Sequence, residues 1–461
     1  MRKFTFPLKI FAIPSCLLAL TLIGVPHFGK AEGAAAQRRA VMISIDGLPP
    51  DLYLNRDKYG LRIPNLLELM EQGSYAEAVE GVYPSVTYPS HTTLVTGRRP
   101  REHGIFTNYS SRQAGKDPGV WFWYTDAIRV PTLWDLARKK GLKTGAVSWP
   151  VSVGADVDWL LPEIHGIGDT PRPVWEIVAE NSSPQGLMEE VFQVSGEPRT
   201  GEIGDSIRTR AAIHILKKYR PHLLLLHIFN LDGAHHQTGP GSPEAGKMLE
   251  KLDSLIGRIR AAVDEIGLSD QTAFFIVSDH GFMRVTHTLS PNVLLAKAGL
   301  LTTEENGKIT GGKIATVGNG GSFFIYWPAA QDETLRKQVD EALRPMREQG
   351  LLWALFGRKA AADLFADEDV RLILEAPTGY SFSGKTLGKW VAERRSVGGV
   401  HGYLPTRPEM ATSFIAAGPG LRKAGSLGRI RMIEIAPTVA QYLGIYEPGF
   451  GHTDGIEEVL R

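Results

Sequence analysis

Cysteine is almost missing from this 461-residue chain, which has only Cys16. That excludes an internal disulfide and any CxxC metal site, so a metal centre would have to be built from histidines and carboxylates. An excess of either charge is missing too, because 51 Lys and Arg face 50 Asp and Glu. Such a balance lacks the broad basic surface of non-specific nucleic-acid binders, and no duplex binding is expected. There is no fixed-period repeat, no low-complexity tract, no G-x-G-x-x-G dinucleotide loop, no G-x-S-x-G elbow and no H-E-x-x-H. At 43% apolar and 22% charged residues the chain can bury a substantial core, which excludes intrinsic disorder, a collagen-like structure and a polytopic membrane protein.

The first 36 residues read as a targeting segment. Arg2, Lys3 and Lys9 precede an apolar run from Ile10 to Val25, broken by Pro14, and Ala31 to Ala36 supply small residues for cleavage. The run is short for a membrane span of about 20 residues, so a cleaved signal is expected over a retained anchor. Cys16 sits in mid-run, unlike the cysteine of a lipoprotein box. An exported protein, periplasmic or secreted and without a stable span, is the expectation.

Beyond residue 36, short apolar stretches at Arg39–Ile45, Lys143–Ser148, Leu223–Phe229, Ala273–Val277 and Thr412–Ala417 predict buried parallel strands. Helical periodicity is clearest from Pro243 to Ile266, with Ser242 as N-cap, Pro243 in the first turn and Gly267 as the stop. The 50 glycines and 29 prolines fit many turns between short elements. Strand–helix alternation predicts an α/β fold, a three-layer α/β/α sandwich with a mostly parallel central sheet. Residues from about 283 to 398, with a strand at Ser322–Trp327 and a helix at Glu333–Glu348, read as an insertion or cap in one domain spanning 37–461.

Three aspartates follow strand-like runs: Asp46 after VMISI, Asp232 after LLLLHIFNL and Asp279 after AFFIVS. One such residue is an ordinary turn or cap. Three, two of them with histidines attached (Asp232 with His236, Asp279 with His280), suggest a site at the carboxyl ends of the strands. Converging carboxylates repel unless a cation neutralises them, and His with Asp but no thiolate suits zinc better than calcium. His401, in Gly-Gly-Val-His-Gly, is a further candidate ligand. Thr87, two residues before Pro89 and a helix-compatible run, falls near a helix N-terminus. Its hydroxyl is a simple cap or, activated by a metal, a nucleophile.

In chain order the motifs are I-D-G at Ile45–Gly47, P-S-x-T-x-P at Pro84–Pro89, L-x-T-G-x-x-P-x-x-H-G-I at Leu94–Ile105 and Asn108. D-x-x-x-H-x-x-G-P at Asp232–Pro240, S-D-H-G at Ser278–Gly281 and H-G-Y at His401–Tyr403 follow. This ordered set, over nearly all of the chain after residue 40, resembles the alkaline phosphatase superfamily, in particular its nucleotide pyrophosphatase/phosphodiesterase branch. The resemblance implies an alkaline phosphatase-like fold and two zinc ions per subunit. Asp46, Thr87, Asp279 and His280 would hold the ion beside the nucleophile, and Asp232, His236 and His401 the other. Thr87 would be the catalytic nucleophile in a route through a phosphothreonine intermediate. Asn108 would contact a non-bridging phosphoryl oxygen, and Tyr88 would be a substrate-binding residue able to stack on a nucleobase. The implied substrate is a small-molecule phosphodiester or nucleotide.

The sequence departs from the family pattern at Ser90, at His235 before His236, and at Leu404-Pro405 after H-G-Y, which bears on substrate preference more than on chemistry. Within the superfamily a phosphomonoesterase or phosphonate hydrolase is the alternative, and an inactive nucleotide- or lipid-binding scaffold is another. His103 reads as structural, His235 as an outer or solvated residue, and Trp121 to Tyr124 as a core strand or an aromatic platform. Gly379 to Thr386 matches the phosphate-loop pattern G-x-x-x-x-G-K-T, read as a chance turn.

Overall fold

Strand Arg39–Ile45 is an apolar run buried on both sides, and its alternate side chains enter two different cores. Val41, Ile43 and Ile45 belong to one hydrophobic cluster, Ala40 and Met42 to the other. The computed structural model describes residues 37–109, 121–165, 172–196, 199, 203–329 and 332–460. The expected targeting segment, 1–36, lies outside them. Among the described residues no helix is long and apolar enough to cross a membrane.

The central sheet has eight strands in the order Gly425–Ser426, Ser74–Tyr75, Phe414–Ala417, Thr272–Val277, Arg39–Ile45, Leu223–Ile228, Thr144–Val147 and Trp159–Leu161. The last five run parallel. Phe414–Ala417 corrects the expectation of a parallel strand, for it pairs antiparallel with Thr272–Val277. A four-residue apolar run encodes burial but not direction. One face carries helices Pro64–Gln72, Leu187–Ser195, Asp205–Tyr219 and Pro243–Glu265; the other carries Thr87–Thr96, Leu133–Lys139 and Ile435–Tyr442. The result is the expected three-layer α/β fold.

Helix Pro243–Glu265 forms where the periodicity places it. The Ser242 hydroxyl accepts from the Ala245 N–H at 3.2 Å, and the chain leaves through Gly267 at φ +69°. Leu249, Leu252, Ile256, Ile259 and Val263 are buried against the sheet, each contributing roughly 1.5–3 kcal/mol.

Segment 283–398 builds sheets of its own. Ser322–Tyr326 lies in a four-stranded antiparallel sheet with Ala315–Gly318, Leu372–Glu375 and Ala354–Gly357. Met283–Leu289 pairs with Tyr380–Phe382 and with Val391–Val400, which leads straight to His401. The expected single helix Glu333–Glu348 is two, Asp332–Ala342 and Arg344–Glu348, because Pro345 has no N–H to continue the first and suits the first turn of the second. The phosphate-loop match is a turn followed by strand Tyr380–Phe382, with no helix after Thr386 to bind an anion.

Candidate active site

Parallel register decides where the aspartates go. Ile45 stands beside Ile228, and Ser44 beside both His227 and Val277, so three strands end at one edge. Asp46 leaves the first strand with its N–H still bonded to the Ile228 carbonyl at 2.9 Å. Asp279 is fixed by the Gly47 N–H, which donates to Oδ1 at 3.0 Å. Gly47 has φ +68°, and a Cβ there would fall 2.4 Å from the Phe282 ring, so only glycine permits this turn. Asp232 and His236 share one face of helix Asn230–Thr238, one turn apart. A close approach brings His401 to that helix: Cβ atoms at Gly398 and Gly399 would lie 2.6 Å from the His236 and His235 carbonyl oxygens.

The structure brings the aspartates and histidines named from sequence together. His280 Nε2 lies 3.2 Å from Asp46 Oδ1 and 3.3 Å from Asp279 Oδ2. Asp232 Oδ1 is 3.3 Å from His236 Nε2 and 3.8 Å from His401 Nε2. The His280 and His401 rings stack at 3.6 Å and join the two groups. His236 and His401 each engage Nδ1 with a backbone carbonyl, of Gly399 at 2.9 Å and Ser85 at 3.1 Å, which directs Nε2 inward. The first group is sealed, with Asp279 and His280 side chains at 0% exposure, whereas His236 is 40% and Asp232 23% exposed. Water therefore reaches the second group.

Burial and neighbouring charges shift the titration of these groups strongly. Burial raises the Asp46 carboxyl far above the usual range, and the Asp279 and Asp232 charges raise it further. Burial pushes Asp279 up to about 7. Burial and the neighbouring His401 and His236 keep His280 well below an ordinary imidazole, and burial with His236 takes His401 down to about 4. Asp232 is also pulled up by burial, but its contacts with His236 and His401 outweigh this and hold it low.

Thr87 opens helix Thr87–Thr96, whose residues are all buried and whose Thr92, Thr93 and Thr96 hydroxyls bond back to carbonyls one turn earlier. The helix stops at Gly97 in the left-handed conformation. Asn108 accepts the Tyr88 N–H at 3.0 Å through Oδ1, so its amide nitrogen is the end left to donate to a ligand. Tyr88 does not offer the expected stacking face: it is fully buried, with the Trp121 ring edge-on at 5.1 Å. Trp121 to Tyr124 is no core strand either. Trp121 makes an isolated bridge to Tyr109, and Tyr124 is exposed.

His103 is structural as expected, buried between the Thr93 hydroxyl and the Ile105 N–H. His235 is not solvated; it is buried against Phe282. Sequence reasoning missed His91, His227, Glu163, Asp205 and Arg208. His91 links the Thr87 carbonyl (2.8 Å) to the Ser44 hydroxyl (2.9 Å) and lies 3.7 Å from Asp279. Asp205 accepts the Phe229 and Asn230 N–H groups at the start of the Asp232 helix, and Arg208 pairs with it at 2.8 Å while stacking on Phe229. A charged or imidazole residue inside an otherwise apolar run, as His227 is in LLLLHI, was the available signal.

The donors fit metal ions. Asp46 Oδ1, Asp279 Oδ2, Asp232 Oδ1 and both His280 nitrogens are buried without a hydrogen-bond partner. Ligand atoms of Asp46, Asp279 and His280 lie within 4.8 Å of one another, as do those of Asp232, His280 and His401. Native proteins rarely leave so many buried polar atoms unsatisfied in one place, and a cation at each group would satisfy the three carboxylate oxygens and one His280 nitrogen.

The profile of the family described as type I phosphodiesterase/nucleotide pyrophosphatase matches residues 40–404. The chain belongs to this family. Ectonucleotide pyrophosphatase/phosphodiesterase family member 1 of Mus musculus is 23% identical over 91% of the chain and 42% of its own length. The chain thus spans about two fifths of that relative. Family member 7 of Rattus norvegicus is 22% identical over 96% of the chain and 93% of its own length. Among solved structures, human ectonucleotide pyrophosphatase/phosphodiesterase 5 matches with TM-score 0.64 and 20% identity over 90% of this chain and 97% of its own. An inactive form of the murine protein, in complex with AMP, matches with TM-score 0.65 and 18% identity over 92% of this chain and all of its own. The phosphodiesterase/pyrophosphatase family thus shares this α/β fold with the chain.

Proposed function

We propose that the protein is an exported, zinc-dependent phosphodiesterase or nucleotide pyrophosphatase acting through a phosphothreonine intermediate. The observation that carries this reading is the pair of contiguous Asp/His groups, one sealed and one partly open, with orphaned ligand atoms, beside a helix that opens with Thr87. Asp46, Asp279, His280 and Thr87 would hold one zinc ion and Asp232, His236 and His401 the other. The two ions would offset three aspartates and a threonine alkoxide and lower the pKa of the threonine hydroxyl and of water.

Thr87 Oγ1 attacks phosphorus, forming a P–O bond as the bond to the leaving alcohol or nucleotide oxygen breaks. The Asn108 amide donates to a non-bridging oxygen as charge accumulates there. Water entering from the more open Asp232 side then attacks phosphorus, and the Thr87 oxygen leaves and regains its proton. The buried Asp46 side holds the nucleophile away from solvent. Segment 283–398 is an insertion that caps the site, and residues 1–36 are the export signal. Nucleotide substrates are favoured because AMP occupies the murine relative.

Hydrolysis of bis-p-nitrophenyl phosphate and p-nitrophenyl phosphate, before and after chelation and zinc restoration, tests the reading. Zinc-restored diesterase activity exceeding monoesterase activity is expected. Thr87→Ala should lower turnover by several orders of magnitude and leave zinc content largely intact, because Asp46, Asp279 and His280 remain as ligands. Near-wild-type turnover by that variant removes the covalent step.

A further inference from the structure

Behind Asp46 lies a second buried acid–imidazole pair that the proposed chemistry does not use. His227 is in strand Leu223–Ile228, flanked by Leu226 and Ile228, and is 1% exposed. Its Nε2 lies 3.1 Å from Asp46 Oδ2, and its Nδ1 lies 2.6 Å from Glu163 Oε2 and 3.2 Å from the Ser148 carbonyl oxygen. All three neighbours are oxygen acceptors, so both ring nitrogens point at groups that take a hydrogen bond. Glu163 is itself buried, 64 residues from His227 in sequence.

Burying an imidazole in a strand otherwise made of leucine and isoleucine, with an acid against it, is costly, and apolar side chains would pack there without that cost. What the pair achieves is the division of Asp46. Oδ2 is tied to His227, while Oδ1 is left without a hydrogen bond and faces His280 Nε2 at 3.2 Å. A carboxylate on a short turn rotates freely unless one oxygen is held. The His91 ring packs on His227 at 4.2 Å and bonds Ser44 and the Thr87 carbonyl, so the support reaches the nucleophile helix.

We infer that His227, held by Glu163, is a positioning residue that fixes Asp46 so that Oδ1 alone is presented to the metal beside Thr87. This rests on the metal-centre reading above. The arrangement follows the general pattern in which outer hydrogen bonds orient a ligand, and their loss costs metal affinity by about 10- to 100-fold.

The test is chelator competition with zinc on His227→Leu, His227→Gln, Glu163→Gln and the wild type, with urea unfolding of each metal-free protein alongside. Cobalt substitution adds a spectroscopic readout of the site's geometry. His227→Leu should weaken one of two zinc sites by about 10- to 100-fold and alter the cobalt spectrum, leaving the other site unchanged. His227→Gln, which keeps an N–H for Asp46, should recover part of the loss, and Glu163→Gln should weaken the same site. Unchanged affinity at both sites in His227→Leu and His227→Gln overturns the inference. So does equal weakening of both sites that glutamine does not relieve. If His227→Leu does not fold, the glutamine variants decide. A wild-type protein that holds no zinc tightly overturns the metal-centre reading itself.

Discussion

Replacing Asp279 by asparagine should stabilise the metal-free protein at pH 8 while abolishing tight binding of one zinc ion. Asp279 is fully buried, and burial raises its carboxyl from an ordinary 3.8 to about 7. A raised carboxylate pKa means that the folded chain keeps a proton which the unfolded chain releases, so stability falls as pH rises between about 4 and 7. At 1.36 kcal/mol per pKa unit, the penalty is on the order of 4 kcal/mol above pH 7 and absent below about pH 4. Asparagine is isosteric, accepts the Gly47 N–H as the aspartate does, and carries no charge to desolvate. Urea unfolding of chelated wild type and Asp279→Asn at pH 5 and pH 8 reads this group together with Asp46, whose carboxyl the Asp279 charge raises further. The variant should gain on the wild type as pH rises. Zinc at 100 times its Kd should add about 2.7 kcal/mol per site to the wild type and lose that effect at one site in the variant. A stability difference that does not change with pH, or a metal-free variant less stable than wild type at pH 8, would refute the argument that burying the Asp279 carboxylate costs stability when no metal is bound.

Asp205→Ala should destabilise the protein by about 3 kcal/mol, measured by chemical unfolding, because it removes a carboxylate that pairs with the buried Arg208 and caps the Asp232 helix. The same variant should weaken zinc at the Asp232 side more than at the Asp46 side, measured by chelator competition. Lys385→Ala should change neither turnover nor nucleotide binding measured by calorimetry, because Lys385 is exposed on a loop with no helix behind it.

How much of this was readable in the sequence depends on distance along the chain. Strands at Arg39–Ile45 and Leu223–Ile228, helix Pro243–Glu265 and the six Asp and His positions with Thr87 each sit in a local pattern: an apolar run, a 3.6-residue period, or a motif of a few residues. The parallel register of three strands then carries the motifs to one edge with no further information. What was not readable are relations between residues with no shared motif. Glu163 meets His227 across 64 residues, and His227 meets Asp46 across 181. Tyr88 is buried among Ile105, Val151 and Trp121, the last two 63 and 33 positions away. The direction of Phe414–Ala417 follows from the path of the segment before it. Pro345, by contrast, was visible and should have split the predicted helix, since a proline fixes its own break. The residues that touch a reacting group are thus confined to short motifs by the geometry of strand ends. The residues that hold those groups in place need only be neighbours in space, so they leave in the sequence no trace beyond a polar side chain where an apolar one would pack.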